Sequence, residues 1–168
     1  MTMDRLTHTD ESGRARMVNV GDKPTQRRTA TAEGFIAMAG ATLDLIAQDR
    51  MKKGDVLTVA QVAGIQAAKR TGELIPLCHP LVLDHADVTL TPAAGGVRAR
   101  AVVRCTGRTG VEMEALTAVA VALLTVYDMC KAVDKDMRIG EIRLLEKTKQ
   151  DVPADAKDAA HAADADQD

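Results

Sequence analysis

Three stretches of this 168-residue sequence place reactive side chains where packing alone would not ask for them. In VYDMCKA, residues 126 to 132, Asp128 and Lys131 stand three apart, on one face of a helix, so carboxylate and ammonium can meet. As a surface ion pair this contributes little. Yet Asp128 follows a solid apolar run, Val119 to Leu124, and lies near a helix C-terminus, where the dipole disfavours an anion. A carboxylate kept in that place points to function rather than packing. In LIPLCHPL, residues 74 to 81, Pro76 and Pro80 fix their own φ and bias Ile75 and His79 towards extended backbone. Cys78 and His79 are thus held on a stiff loop. A packed thiol in a helix-to-strand connector and a zinc site both match these residue types; Cys78 and His79 are neighbours, and Cys105 and Cys130 lack the spaced pairs of a structural zinc site. In GVEMEAL, residues 110 to 116, Glu112 and Glu114 fall in a first helical turn, where acidic residues are ordinary.

Cations gather at the ends of elements: Lys52 and Lys53 in a turn, Lys69 and Arg70 after a helix, Arg104 and Arg108 after a strand, Lys131 and Lys135 at the end of the long helix. Such a set suits a polyanion such as a triphosphate; a solvated charged rim is the plainer reading. Crowding predicts that one of these lysines titrates low enough to act as a base. Glu114 and Asp128 differ by 14 positions, close to four whole turns, so they point the same way but lie about 21 Å apart along the axis. One small ligand cannot touch both from a single helix. Either one of them is structural or the site is assembled between subunits.

The elements that must position these residues follow a regular pattern. Residues 29 to 38 read as a strand, 41 to 50 as a short helix, and KKGD as a turn whose Gly54 ends one helix and whose Asp55 caps the next. Val56, Ala60, Ala63 and Ala67 recur at helical spacing along a small-residue helix to Arg70. Residues 85 to 91 alternate as a half-buried strand, and TPAAGG turns the chain into a partner that buries Val97, Ala99, Ala101, Val103 and Cys105 and shows Arg98, Arg100 and Arg104. A long helix runs from Val111 to about Lys135, with too little chain left to cover its apolar face, which favours oligomerisation; a last strand covers 141 to 147. This order predicts an α+β, ferredoxin-like pair of split βαβ units: a four-stranded antiparallel sheet with helices on one face. The expected organisation is a partly ordered arm over 1–28, one catalytic domain over 29–148 and a disordered Asp/Ala tail over 149–168.

Composition bounds the rest. With one Tyr, one Phe and no Trp, the core must be aliphatic, and the composition argues against base stacking on aromatics as a binding mode. Residues 151 to 168 hold six Asp against Lys157, a net −5 of the chain's −2, so residues 1 to 150 net +3. Three cysteines without a leader segment argue for a reducing compartment, and no apolar run reaches bilayer-spanning length. A soluble, cytoplasmic protein without nucleic-acid or membrane partners is the expectation.

KKGDV (52–56), AGIQAAKRT (63–71), LIPLCHPL (74–81), TGVEMEALTA (109–118) and YDMCKAVDKDM (127–137), in this order, closely resemble the cyclic pyranopterin monophosphate synthases, the second enzymes of molybdenum cofactor biosynthesis; MVNV near the start and RLLEK near the end are also similar, and only the acidic tail is left out. The resemblance implies conversion of (8S)-3′,8-cyclo-7,8-dihydroguanosine 5′-triphosphate to cyclic pyranopterin monophosphate and pyrophosphate. It implies a homohexamer, a trimer of dimers, with active sites at subunit interfaces. It also implies that Asp128, Lys131 and Lys53 are catalytic and that Leu77, Cys78, His79, Met113 and Glu114, with Glu112 and Lys69, bind the substrate. No metal or cofactor is implied, although a divalent cation could accompany the triphosphate. Within that reading Cys78 is a packed neighbour, not a nucleophile. The rival from another class is a non-catalytic, nucleotide-sensing regulator built on the same fold.

Overall fold

The computed structural model describes residues 12–152; residues 1–11 of the expected arm and 153–168 of the expected tail lie outside the described residues. In chain order the elements are β1 (Gln26–Ala37), α1 (Gly40–Ala47), α2 (Val56–Lys69), α3 (Thr71–Leu74), β2 (His85–Ala93), β3 (Gly96–Gly107), α4 (Glu112–Cys130) and β4 (Arg138–Asp151). The strands form one antiparallel sheet in the order β2-β3-β1-β4. β1 and β2 are thus parallel with β3 between them, and β3 and β4 are parallel with β1 between them, which is the predicted pair of split βαβ units.

Alternation builds the sheet's core face. Ala30, Ala32 and Ile36 of β1, Val88 of β2 and Val97, Ala99, Ala101, Val103 and Cys105 of β3 are buried, as the period-2 pattern requires. The six-residue loop expected at TPAAGG is tighter. Pairing continues to Ala93 and Gly96, and Gly95, at φ +77°, takes the left-handed conformation that the turn needs. The sheet also extends three residues beyond each expected domain bound, because Gln26 pairs with Asp151. β4 is long but lies at the sheet edge with nearly every residue exposed, so it carries no alternation that a sequence pattern could show. A bulge near Gly140, with Glu141 at φ +53°, interrupts its register further.

α4 is the central helix. Ala115, Ala118, Val119, Ala122, Leu123 and Val126 are buried against β1, β3 and α2, while Leu124 in the middle of the helix and Met113 in its first turn project as large exposed apolar side chains. By length and composition α4 is the one described helix that could cross a bilayer; 56% of its apolar stretch is buried within the fold. Two glycines permit this seating. A Cβ at Gly34 would stand 2.8 Å from Leu123 Cδ1 and Val119 Cγ1, and one at Gly64 would stand 2.9 Å from the Ala118 carbonyl oxygen and 3.0 Å from Val88 Cγ1. The buried face of α2 accordingly runs through Gly64, Ala67 and Ala68, with Ala63 only half-buried. α4 ends at Cys130, not Lys135, and the chain turns at Lys131.

Gly64→Val places three carbons where a backbone carbonyl already sits, so it should cost about 1–3 kcal/mol of stability. Gly40→Ala, whose methyl would meet open space, is the control. Equal denaturation midpoints for the two variants would show that α2 and α4 are not in close backbone contact.

Candidate active site

The last turn of α4 and the turn before α2 meet at Asp128. Lys131 is the C-cap residue, and its N–H donates to the Tyr127 carbonyl at 2.9 Å. Lys53 lies in a turn closed by Gly54 at φ +87°, next to Asp55, which caps α2 by accepting from the Thr58 N–H at 3.0 Å. Across 75 residues of sequence, Lys53 Nζ donates to Asp128 Oδ2 at 2.6 Å and to the Asp128 carbonyl at 3.1 Å, while Lys131 Nζ pairs with Oδ1 at 2.6 Å. One carboxylate is shared by two ammonium groups. Lys131 first and Lys53 second hold Asp128 down to about 2, so it is ionised at any physiological pH. Asp128 in turn raises Lys131, so the expected depression of an amine is reversed there: the carboxylate outweighs crowding among cations. The side chains are 49%, 54% and 55% exposed. Ion pairs this open to water contribute little to stability, so stability does not explain the cluster.

The other end of α4 builds a different wall. The LCHP loop rests on α3, where a Cβ at Gly72 would lie 3.1 Å from Pro80 Cα. His79 Nε2–H donates to the Val18 carbonyl at 2.7 Å, strapping the segment around Met17–Val20 over the loop. The Cys78 thiol donates to Glu114 Oε1 at 3.7 Å. Glu114 is 2% exposed, and its Oε2 has no hydrogen-bond partner. Burial raises its carboxyl above the usual range, and burial followed by Glu114 raises the Cys78 thiol, so Cys78 is a poor nucleophile here. Leu77, Cys78, His79, Glu112 and Met113 line one groove of about 460 Å³, with Glu114 behind Cys78. The structure thus brings together six of the seven residues expected to bind substrate.

Lys69 is the seventh, and it lines a separate hollow beside Asp84 and His85. Two residues went unread in the sequence. Lys147 pairs with Glu112 at 3.1 Å, and Arg28 lines the same hollow of about 230 Å³, its Nε buried without a partner. Their signal was faint: RLLEK ends on Lys147, but only the pairing of Arg28 with Lys149 across β1 and β4 brings the two strands' cations together. Cys105 and Cys130 are buried, and burial pushes both thiols up to about 11. Among the described residues, no three His, Cys, Asp or Glu side chains gather as a metal site. Within one chain the Lys53–Asp128–Lys131 cluster and the Cys78–Glu114 groove stay at opposite ends of α4.

Comparison with known proteins matches residues 17–150 to the model of the MoaC family. Three relatives named cyclic pyranopterin monophosphate synthase are similar over most of their length. The protein of Chloroflexus aggregans is 61% identical over 148 residues, covering 87% of this chain and 90% of its own. That of Parvibaculum lavamentivorans is 57% identical over 150 residues, covering 88% and 94%. That of Novosphingobium aromaticivorans is 59% identical over 145 residues, covering 86% and 92%.

Because burial raises the Glu114 carboxyl, its folded-state stability is intact below the ordinary value and is lost as pH rises through the folded-state value. Glu114→Gln removes that loss. The melting temperature of the variant minus that of the wild type should therefore grow as pH rises above the ordinary carboxylate value. A difference independent of pH would show that Glu114 ionises without penalty.

Proposed function

The chain belongs to the MoaC family, and from that premise we propose how it works. It is an enzyme of molybdenum cofactor biosynthesis that converts (8S)-3′,8-cyclo-7,8-dihydroguanosine 5′-triphosphate to cyclic pyranopterin monophosphate with release of pyrophosphate. The observation that carries the reading is the carboxylate shared by Lys53 and Lys131 at an open surface. A nucleotide sensor would need cations for the phosphates; it would have no use for an acid–base cluster whose proton affinities are set by so close a contact.

The reaction asks for two kinds of help. The guanine-derived ring is opened by water and rebuilt as a pyranopterin, which needs a positioned acid and base. A sugar hydroxyl then attacks the α-phosphorus, its proton passes to a base, and the bond to the β-phosphate breaks to release pyrophosphate, a phosphorus–oxygen lyase step. Cations absorb the charge that develops on the departing group. Lys53 and Lys131 share the acid and base roles. Asp128 orients both and, by raising Lys131, keeps it an ammonium able to donate a proton or face a phosphate oxygen. Leu77, Cys78, His79, Glu112, Met113 and Glu114 form the substrate wall, joined by Arg28 and Lys147. Lys69 holds the triphosphate.

These groups work together between subunits. The protein assembles as a homohexamer, a trimer of dimers, in which the Asp128 end of one α4 faces the Glu114 end of another. The 14 residues separating Glu114 from Asp128, about 21 Å of helix, support this, as does the exposed Leu124. It acts as a soluble enzyme of the cytoplasm.

Incubation with the cyclic dihydroguanosine triphosphate, followed by a pyrophosphate assay, tests the reading; tight binding without pyrophosphate release would favour the sensor. Lys131→Ala is expected to lower kcat by about 100- to 10,000-fold while the protein still folds. Turnover near the wild-type rate would remove Lys131 from the chemistry. Lys69→Gln should raise KM roughly 10-fold by deleting a charged contact to phosphate, and an unchanged KM would take Lys69 out of the site.

A further inference from the structure

The turn that follows α4 holds a carboxylate for which the chemistry has no use. Asp134 lies three residues beyond Lys131 and is 8% exposed. Its Oδ2 accepts the Ala39 N–H at 2.8 Å and the Thr42 hydroxyl at 3.0 Å, and its Oδ1 accepts the Asp136 N–H at 3.1 Å. Ala39 is where the chain leaves β1 and enters α1, and it has no side chain able to cap that helix. From 95 residues away Asp134 instead accepts the N–H of that N-cap residue and the hydroxyl of Thr42 in the helix's first turn, tying both to the turn after α4. Its three partners are neutral donors, and their hydrogen bonds, that of Ala39 above all, hold its carboxyl below the usual carboxylate range despite burial.

Both lysines of the cluster hang from this point. α1 leads into the turn that carries Lys53, and Lys131 lies three residues before Asp134. The Cys130 carbonyl accepts the N–H groups of Val133 at 2.9 Å and Asp134 at 3.1 Å, so the backbone between Lys131 and Asp134 is drawn tight. Since the two ammonium groups are about half exposed, no packing locates them. Their positions depend on where their backbone is anchored.

We propose that Asp134 is a positioning residue: its buried carboxylate ties the turn after α4 to the start of α1 and thereby sets the distance between the two lysines that share Asp128. The catalytic consequence rests on the reading of Lys53 and Lys131 as the acid–base pair. Asp134→Asn keeps the volume but turns an amide NH₂ towards a donor, and Thr42→Val keeps the shape but loses the hydroxyl. Asp134→Asn should lower kcat by roughly 10- to 100-fold with KM little changed, Thr42→Val should lower it less, and Thr42→Ser should retain it. In Asp134→Asn and Thr42→Val, but not in Thr42→Ser, the Asp128 carboxyl, followed by NMR titration, should move from about 2 towards the ordinary carboxylate value as the lysines loosen. A wild-type kcat in folded Asp134→Asn, or an Asp128 titration that does not move, overturns the proposal. If Asp134→Asn does not fold, Thr42→Val decides by the same two readings. Should Lys131→Ala remain active, the acid–base reading falls, and the Asp128 titration still decides whether Asp134 sets the cluster.

Discussion

The seating of α4 against β1 and α2 is the contact on which the rest of the molecule depends. At Gly34 and Gly64 the neighbouring atoms lie so close that no side chain fits between them. The helix can therefore bury a run of Ala, Val and Leu in a chain almost without aromatic residues. Close packing of small residues replaces bulk as the source of dispersion and burial. A helix held along its middle presents its two ends at defined places. One end carries Asp128 and Lys131, and the other carries Glu112, Met113 and Glu114. The same rigidity forbids the two ends from meeting within one chain.

The two ends differ in their electrostatics. At the Glu114 end the carboxyl is desolvated and has lost a partner for one oxygen, so its charged form is disfavoured. At the Asp128 end the carboxylate lies in water between two ammonium groups, and its charged form is favoured. A site that closes over a substrate between them would join a more desolvated wall to an open, strongly ionic one. The first suits the ring of a nucleotide and the second its phosphates and proton transfers.

Much of this was legible in the sequence because it depends on local pattern. Alternation in residues 85–105 showed β2 and β3, the recurrence of small residues showed α2, and the spacing of Asp128 and Lys131 showed that they could touch. What stayed hidden depends on pairing across the sheet or on long-range contact. β4 is an exposed edge whose extent is set by its partner β1. Lys53 reaches Asp128 only because α1 returns its following turn to the end of α4. The direction of the Lys131 shift went the other way for the same reason: sequence shows how many cations crowd an end, but not that one carboxylate sits within 2.6 Å of two of them. Glu114 read as an ordinary first-turn residue, and its burial against Cys78 comes from the loop folding back over it.

The separation of the two half-sites is tested most directly by complementation. Lys131→Ala and His79→Ala, each inactive alone, are unfolded together, refolded as mixed assemblies and assayed for pyrophosphate release. If each site takes one wall from each of two chains, random mixing leaves about a quarter of the sites with both walls intact, and activity should return to about that fraction of wild type. Mixed assemblies as inactive as their parents would contradict a site divided between chains.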